Sequence, residues 1–150
     1  AARVGGPAEP AQGMAFDGRM SENFKLASGT FVGVGDLRVK AVSAVGDAVT
    51  DAVVCGEDRE GVGLLFYPNP NMSPQEVVVA VRMGLERFNA QAKGAGGRIS
   101  RALVLDGPPD ANAGEITDKG YIAQSLARSR RAEAVERLFS DPVSFDVMVF

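Results

Sequence analysis

The sequence contains no histidine and no tryptophan, and its only cysteine is Cys55. Without histidine the chain cannot form a Ser-His-Asp triad or a Cys-His pair. One cysteine is also too few for an internal disulfide or for a zinc site of the cysteine and histidine type. Cys55 ends the run Ala-Val-Val-Cys, so we expect a small buried strand residue rather than a catalytic thiol. These absences predict no metal site and a reducing compartment.

Long apolar runs are absent as well. No segment reaches the roughly 18 apolar residues that span a bilayer, and the N-terminus lacks the charged start and apolar middle of a signal peptide. The net charge of -3 provides no overall attraction to nucleic acid or to anionic membranes. With 45% hydrophobic and 23% charged residues, the composition is that of an ordinary globular domain. We therefore expect a soluble, cytoplasmic protein that binds neither nucleic acid nor membrane.

The chain begins with a segment rich in turn residues. Residues 1–13 contain repeated proline and glycine without hydrophobic periodicity, which is typical of a linker. We expect one domain over residues 14–150. Because the linker comes first and no initiator methionine precedes it, the domain is expected to belong to a longer polypeptide.

The pattern of apolar residues in that domain predicts strands alternating with helices. Residues 14–34 are expected to form a hairpin, and the predicted core strands are 52–55, 62–67 and 101–105. Three helices are predicted. The first covers residues 36–47, with Asp36 as N-cap and an apolar stripe of Leu37, Ala41, Val45 and Val49. The second opens with the capping box Ser73-Pro74-Gln75-Glu76, and the last runs along Ile122, Leu126, Val135 and Leu138. The tail, residues 141–150, is either an edge strand or a fraying end. The expected fold is α+β: a small mixed sheet of about three core strands packed with helices, preceded by a β-hairpin.

Two segments carry a specific resemblance. Phe16-Asp17-Gly18-Arg19, followed by Phe24-Lys25-Leu26-Ala27-Ser28-Gly29-Thr30-Phe31-Val32, resembles the hinge region of adenylate-forming enzymes. Gly114-Glu115-Ile116-Thr117-Asp118-Lys119-Gly120-Tyr121-Ile122 resembles the catalytic-lysine loop of the same superfamily. Together with Gly33-Val34-Gly35-Asp36-Leu37-Arg38, they are most similar to the feruloyl-CoA synthetase branch, over about residues 14–138.

This resemblance implies a small C-terminal domain that completes the active site of an ATP-dependent carboxylic acid:CoA ligase. Such enzymes form an acyl-adenylate from ATP and then transfer the acyl group to the thiol of CoA, and the small domain rotates between the two steps. It implies that ATP and Mg²⁺ are bound mainly by an N-terminal adenylation domain of the same polypeptide. It also implies CoA as co-substrate, an aryl or hydroxycinnamic acid as substrate, and no activity for the isolated domain.

The resemblance also assigns roles to individual residues. Lys119 is the catalytic lysine, Arg19 contacts the AMP ribose or phosphate, and Ser28, Gly29 and Thr30 form the loop that lines the CoA channel. In much of the superfamily the lysine directly follows the loop glycine, whereas here Tyr121 stands at that position and Lys119 comes two residues earlier.

The hinge position also departs from the family pattern. It is usually an acidic residue or a lysine two places after the arginine, and here that place is Ser21, with Glu22 next. Either residue is a candidate pivot.

Two other hypotheses remain open from the residues alone. The β-α-β alternation is shared by free-standing ferredoxin-like modules that bind ligands or partners without catalysis. An adenylation domain that loads a carrier protein would have the same fold and differ only in its thiol acceptor. By default, Lys119 is a solvated surface lysine and Arg19 a hairpin residue that pairs with Asp17 or Glu22. The arginines of the last helix form a solvated face with Glu133 and Glu136, or contact CoA phosphates.

Overall fold

The computed structural model describes residues 23–94 and 97–150, so the linker predicted at residues 1–13 lies outside the described residues. The described part begins with a hairpin of two short antiparallel strands, β1 (Phe24–Lys25) and β2 (Phe31–Val32). The hairpin was predicted over residues 14–34, and its described portion is confirmed.

A four-stranded mixed sheet forms the centre of the domain. Its strands are β3 (Val49–Cys55), β4 (Val62–Pro68), β5 (Ile99–Val104) and β6 (Val147–Val149), in that spatial order. The β3–β4 and β5–β6 pairs are antiparallel, while β4 and β5 are parallel. A parallel pair needs a crossover connection, and the long helix α2 (Pro74–Gln91) provides it. The tail therefore forms an edge strand, and the expected α+β class with a mixed sheet is confirmed.

Helices cover both faces of this sheet. Helix α1 (Val34–Val45) and α2 pack on one face, and α3 (Gln124–Arg130) and α4 (Ala132–Leu138) pack on the other, after a 3-10 turn at Ala111–Ala113. Side chains alternate along β3, so Val54 lies in the core with α1 and α2 whereas Val53 lies in the core with α3 and α4. Burial on both faces explains why the strands are nearly continuous apolar runs. No helix in the described ranges is long and apolar enough to cross a membrane.

The capping box predicted for α2 is present. The Ser73 hydroxyl accepts a hydrogen bond from the Glu76 backbone N–H at 3.2 Å, and the Glu76 carboxylate accepts one from the Ser73 N–H at 3.0 Å. Pro74 occupies the first helical turn, where a missing N–H costs nothing. The spacing of apolar residues predicts Val77, Val81, Leu85 and Phe88 as the buried face of this helix; the first three are fully buried and Phe88 is partly buried against the same core.

Helix α1 starts and ends earlier than predicted. Gly33 is its N-cap, and Asp36 lies in the first turn, where it pairs with Lys40 at 2.9 Å. The stripe of Leu37, Ala41 and Val45 is buried as expected, but Val49 belongs to β3. Val49 is apolar because it packs in the sheet core, and its spacing of four residues from Val45 is a coincidence.

The last helix is two helices, and its predicted apolar stripe is partly wrong. Leu126 is 39% exposed, while the polar Gln124 is 2% exposed. The Gln124 amide takes the buried position because β3 is an edge strand: its oxygen accepts from the Val54 N–H at 2.8 Å, and its nitrogen donates to the Ala52 carbonyl at 2.9 Å. A buried strand edge needs such partners.

Candidate functional site

Lys119 lies on a tight exposed turn. The Thr117 N–H donates to the Tyr121 carbonyl at 2.7 Å, the Gly120 N–H donates to the Thr117 carbonyl at 2.9 Å, and the Tyr121 N–H reaches the Thr117 hydroxyl at 3.3 Å. Gly120 has a φ of 84°, which a side chain would strain. The side chain of Lys119 thus stands on a compact turn and is exposed to solvent.

The stem of this turn is anchored in the core. Ile116 and Ile122 form an isolated antiparallel bridge below the turn. Ile122 is buried in the cluster between the sheet and helices α3 and α4, and Ile116 packs against that cluster. The buried apolar stem therefore fixes the position of the exposed turn that carries Lys119.

The ring of Tyr121 lies against an arginine. The Arg38 guanidinium carbon is 5.2 Å from the centre of the Tyr121 ring. Arg38 also donates two hydrogen bonds to the Asp51 carboxylate, at 2.5 and 2.8 Å. Asp51 is 6% exposed and accepts a further hydrogen bond from the Ala52 N–H at 2.8 Å. The ring is therefore held against a cation that is itself fixed at the start of β3.

Glu115, directly before the stem, is completely buried. Its carboxylate accepts hydrogen bonds from the Arg131 guanidinium at 3.0 and 3.1 Å and from the Asp110 N–H at 2.7 Å, and the Arg130 guanidinium lies 3.6 Å away. Burial alone would raise the pKa of Glu115, but these hydrogen bonds and the two positive charges hold it below its usual value. The carboxylate is therefore ionised at neutral pH.

The same cluster changes the acidity of a neighbouring phenol. The Tyr67 hydroxyl lies 3.5 Å from Glu115. Burial, together with the negative charge of Glu115, raises the pKa of Tyr67 to about 12. Tyr67 is thus a hydrogen-bond donor at neutral pH and not a general base.

The prediction of a solvated arginine face is confirmed only in part, because Arg130 and Arg137 are exposed whereas Arg128 and Arg131 are half-buried. Arg130 and Arg131 compensate Glu115, Arg128 donates to the Val54 carbonyl at 2.9 Å, and Arg137 pairs with Asp146 at 3.1 Å. In the sequence, Glu115 stands out only as a member of the segment from Gly114 to Ile122 that resembles the catalytic-lysine loop. A glutamate between glycine and isoleucine, with an arginine pair some fifteen residues later, was the available signal for a buried charge cluster.

The second predicted loop, residues 28–30, forms the tip of the β1–β2 hairpin. The Ser28 and Thr30 hydroxyls are 2.8 Å apart, and the Leu26 N–H donates to the Thr30 carbonyl at 2.9 Å. Gly29 has a φ of 87°, and no atom lies within 4 Å of where its Cβ would be. The loop is shaped by backbone conformation, with open space around the glycine.

This hairpin is tied to the turn between β3 and β4. The Ala27 N–H donates to the Arg59 carbonyl at 2.7 Å, and the Asp58 N–H donates to the Lys25 carbonyl at 3.1 Å. The turn that carries Lys119 lies at the other end of the β3–β4 pair. Its Tyr121 ring contacts Arg38, which bonds to Asp51, and Glu115 before its stem contacts Tyr67. Asp51 and Tyr67 are paired with each other across β3 and β4.

The two loops are therefore far apart. Gly56 lies five positions after Asp51 along the extended chain, which corresponds to roughly 17 Å. The Lys119 stem packs with α3 and α4, whereas the hairpin packs in the core with α1 and α2. The structure does not bring Lys119 and residues 28–30 into one site.

The remaining predicted site residues, Arg19, Ser21 and Glu22, lie outside the described residues. Cys55 is buried as predicted, and burial raises the pKa of its thiol to about 12, which leaves it protonated and unreactive at neutral pH. Within residues 23–94 and 97–150, no three histidine, cysteine, aspartate or glutamate side chains come together in a way that could hold a metal ion.

Comparison with known proteins gives one family match. The family model described as AMP-binding enzyme C-terminal domain matches residues 39–142. A search of curated proteins finds no match.

Several solved structures share the fold. The adenylation domain of a carboxylate reductase from Mycobacterium chelonae aligns with a TM-score of 0.65 and 20% identity, over 81% of this chain and 20% of that one. The A domain of carboxylic acid reductase from Segniliparus rugosus, in complex with AMP and a co-purified carboxylic acid, gives 0.61 and 16%, over 83% and 21%. The A-PCP didomain of carboxylic acid reductase from the same organism, in complex with AMP, gives 0.59 and 19%, over 77% and 17%. The chain thus spans about a fifth of the length of each of these structures.

Proposed function

The chain belongs to the family of AMP-binding enzyme C-terminal domains, and from this we propose that it is the mobile C-terminal domain of an enzyme that activates a carboxylic acid with ATP and passes the acyl group to a thiol. The observation that carries the proposal is the placement of two exposed loops at opposite ends of the β3–β4 pair, one with Lys119 and one with residues 28–30. A domain that rotates between two half-reactions needs two such working surfaces. The family match favours this role over a free-standing module without catalysis.

In the first half-reaction, an oxygen of the substrate carboxylate attacks the α-phosphorus of ATP and pyrophosphate leaves. Two anionic groups must approach each other, so a positive charge at the α-phosphate and the carboxylate lowers the barrier. Lys119 provides a compact charge on a long flexible side chain, and its turn is exposed and anchored from below. We assign Lys119 to this step.

In the second half-reaction, a thiol sulfur attacks the acyl carbon of the adenylate and AMP leaves. The loop of residues 28–30 would then face the site, with Gly29 leaving room for a pantetheine arm close to the backbone. The two small hydroxyls of Ser28 and Thr30 already bond to each other and add no bulk.

Other parts of the proposal concern residues and groups beyond the described chain. Arg19 would contact the AMP ribose or phosphate, and Ser21 or Glu22 would be the pivot. ATP and Mg²⁺ would be held mainly by a larger N-terminal domain of the same polypeptide.

The carboxylic acid substrate and the thiol acceptor are proposed from the sequence motifs and from the structural comparison. The sequence motifs support feruloyl or a related hydroxycinnamoyl group as the acid and CoA as the thiol. The likeness to an A-PCP didomain supports a second candidate, the phosphopantetheine thiol of a carrier protein. Offering free CoA and a phosphopantetheinylated carrier to the same acyl-adenylate would distinguish the two acceptors.

Substitution of Lys119 tests the assignment. In the complete enzyme, Lys119→Ala should slow acyl-adenylate formation by about two to three orders of magnitude, since one preorganised charge in such a site contributes on the order of 3 to 4 kcal/mol. Thioester formation from a supplied acyl-adenylate should be almost unchanged, because the lysine has left the site. The two steps are followed by pyrophosphate exchange and by thioester production.

A matched control is Lys40→Ala. Lys40 is also an exposed lysine, in a surface pair with Asp36, and should affect neither half-reaction. Equal losses in both half-reactions for Lys119→Ala would reveal a structural role, and no loss in either would refute the assignment.

The isolated 150-residue chain gives a second test. It should unfold cooperatively in urea, because both faces of its sheet are covered, yet show no pyrophosphate exchange with ATP, magnesium and an aryl acid. Exchange above background would contradict its placement as a domain without its own nucleotide pocket.

A further inference from the structure

We propose that Arg38 is a positioning residue for Lys119 and that it acts through the ring of Tyr121. The proposal rests on the adenylation role proposed above for Lys119. It adds a residue from helix α1, distant in sequence from the turn, to the parts that set where the lysine points.

Arg38 is the rigid side of this contact. It follows the buried Leu37 on α1, and its side chain is only 17% exposed. One edge of its guanidinium, through Nε and one Nη nitrogen, donates two hydrogen bonds to Asp51, a nearly buried carboxylate at the start of β3. Helix α1 and strand β3 therefore hold the guanidinium in place independently of the turn.

Tyr121 is the adaptable side. Its backbone closes the Lys119 turn through both its N–H and its carbonyl, which bond to Thr117. Its ring lies over Arg38 and is 43% exposed. Because the backbone of Tyr121 is part of the turn, holding its ring also holds the chain segment that carries Lys119.

The contact needs an arginine. A planar guanidinium can bond to a carboxylate along its edges and still present its face to an aromatic ring, whereas a lysine ammonium is a single point charge and cannot do both. Arg38→Lys therefore keeps a cation beside Asp51 and removes the stack. Tyr121→Leu removes the same stack from the other side, and Tyr121→Phe keeps it.

The first experiment uses the 150-residue chain. Amide hydrogen exchange at residues 117–121 should be about two- to fivefold faster in Arg38→Lys and Tyr121→Leu than in the parent chain, which is the range expected for an exposed cation–ring contact. Tyr121→Phe should exchange like the parent. Unchanged exchange in the first two variants would overturn the proposal.

The second experiment uses the complete enzyme. Arg38→Lys and Tyr121→Leu should lower kcat of adenylation with little change in the KM for ATP and leave thioester formation intact, a split that general destabilisation would not produce. The double variant should be no slower than the slower single variant, because both changes remove one contact. Tyr121→Phe should retain the parental rate.

Two results would overturn the positioning role. If Tyr121→Phe is as slow as Tyr121→Leu, the hydroxyl acts directly and the stack is irrelevant. If the losses in the double variant multiply, the two residues act separately. A result in which residues 117–121 loosen as expected but Lys119→Ala does not slow adenylation would instead refute the proposed function while confirming that Arg38 holds the turn.

Discussion

At the scale of single residues, Glu115 places a full negative charge where its side chain has no contact with water. The charge is tolerated because Arg131, Arg130 and the Asp110 N–H surround it. These contacts also secure the base of the Lys119 turn, since the Glu115 carbonyl accepts a hydrogen bond from the Ala123 N–H at 2.8 Å on the far side of the stem. The cluster therefore links stability to the shape of the candidate site.

Glu115→Gln and Glu136→Gln form a matched pair of substitutions. Both glutamates pair with arginine at 3.0 Å, but Glu115 is buried and the Glu136 side chain is 76% exposed. We expect Glu115→Gln to lower the free energy of unfolding by about 3 kcal/mol and Glu136→Gln by less than about 1 kcal/mol. Urea unfolding at neutral pH measures both, and equal losses would contradict the importance of burial.

The pH dependence of the Glu115 contribution follows from its lowered pKa. A carboxylate with a lower pKa in the folded than in the unfolded state stabilises the fold fully above the unfolded value of about 4.3. This contribution is lost as the pH falls through the folded value. The difference in unfolding free energy between the parent and Glu115→Gln should therefore be constant above about pH 5 and shrink below about pH 4. A difference that grows on acidification would show that the pKa shift has the opposite sign.

Burial of Gln124 could not be predicted from its neighbours in sequence, and for Glu115 the signal includes an arginine pair some fifteen residues later. Each is held by a residue distant along the chain, Glu115 by Arg131 and Gln124 by Val54. Local patterns carry no record of such pairs, and the apolar stripe through Leu126 was wrong for that reason. The exposed turn of Lys119, in contrast, needs only Gly120 and short-range hydrogen bonds, and its motif was visible.

At the scale of elements, the closest approach between α1 and α2 depends on Gly84. A Cβ at this position would lie 2.7 Å from the Ala44 carbonyl oxygen and 2.8 Å from the Val45 Cα. These are backbone atoms of α1, so they cannot move aside without shifting the helix. The glycine lets the two helices pack together over the same face of the sheet.

Two helical glycines should respond to alanine with opposite signs. Gly84→Ala is expected to destabilise the domain by about 1 to 3 kcal/mol through the helix contact. Gly35→Ala lies in α1 with nothing within 4 Å, so it should stabilise the domain by roughly 0.5 kcal/mol through helix propensity. Thermal unfolding of the two variants checks this. A Gly84→Ala variant as stable as the parent would mean that α1 and α2 can separate freely.

Element prediction was most accurate where the signals are local. The capping box of Ser73 and Glu76 marked the start of α2 without any tertiary information. The start of α1 was missed by two residues because Gly33 caps it with no side-chain hydrogen bond, while Asp36 offered a false cap. The break between α3 and α4 at Arg131 coincides with the side chain that turns toward Glu115, a contact formed only in the folded domain.

At the scale of the whole molecule, the two candidate loops differ both in position and in the core that supports them. The hairpin with residues 28–30 packs in the core with α1 and α2, whereas the stem of the Lys119 turn packs in the core with α3 and α4 and its Tyr121 ring reaches Arg38 of α1. A rigid domain with loops at opposite ends cannot present both to one substrate at the same time. Rotation about the pivot that we propose at Ser21 or Glu22 would present them in turn.

Crossed substitutions in the complete enzyme test this division of labour. Gly29→Ala places a side chain at a φ of 87°, with no clash but a backbone strain of about 1 to 2 kcal/mol, so it should distort residues 28–30 while sparing the core. We expect it to slow thioester formation from supplied acyl-adenylate and to leave pyrophosphate exchange intact, the reverse of Lys119→Ala. Gly46→Ala is the matched control, because Gly46 also has a φ of 87° and open space but belongs to neither loop. It should also strain the backbone, but it should slow neither half-reaction. If Gly29→Ala and Lys119→Ala impair the same half-reaction, the two loops serve one step and the rotation between them is refuted.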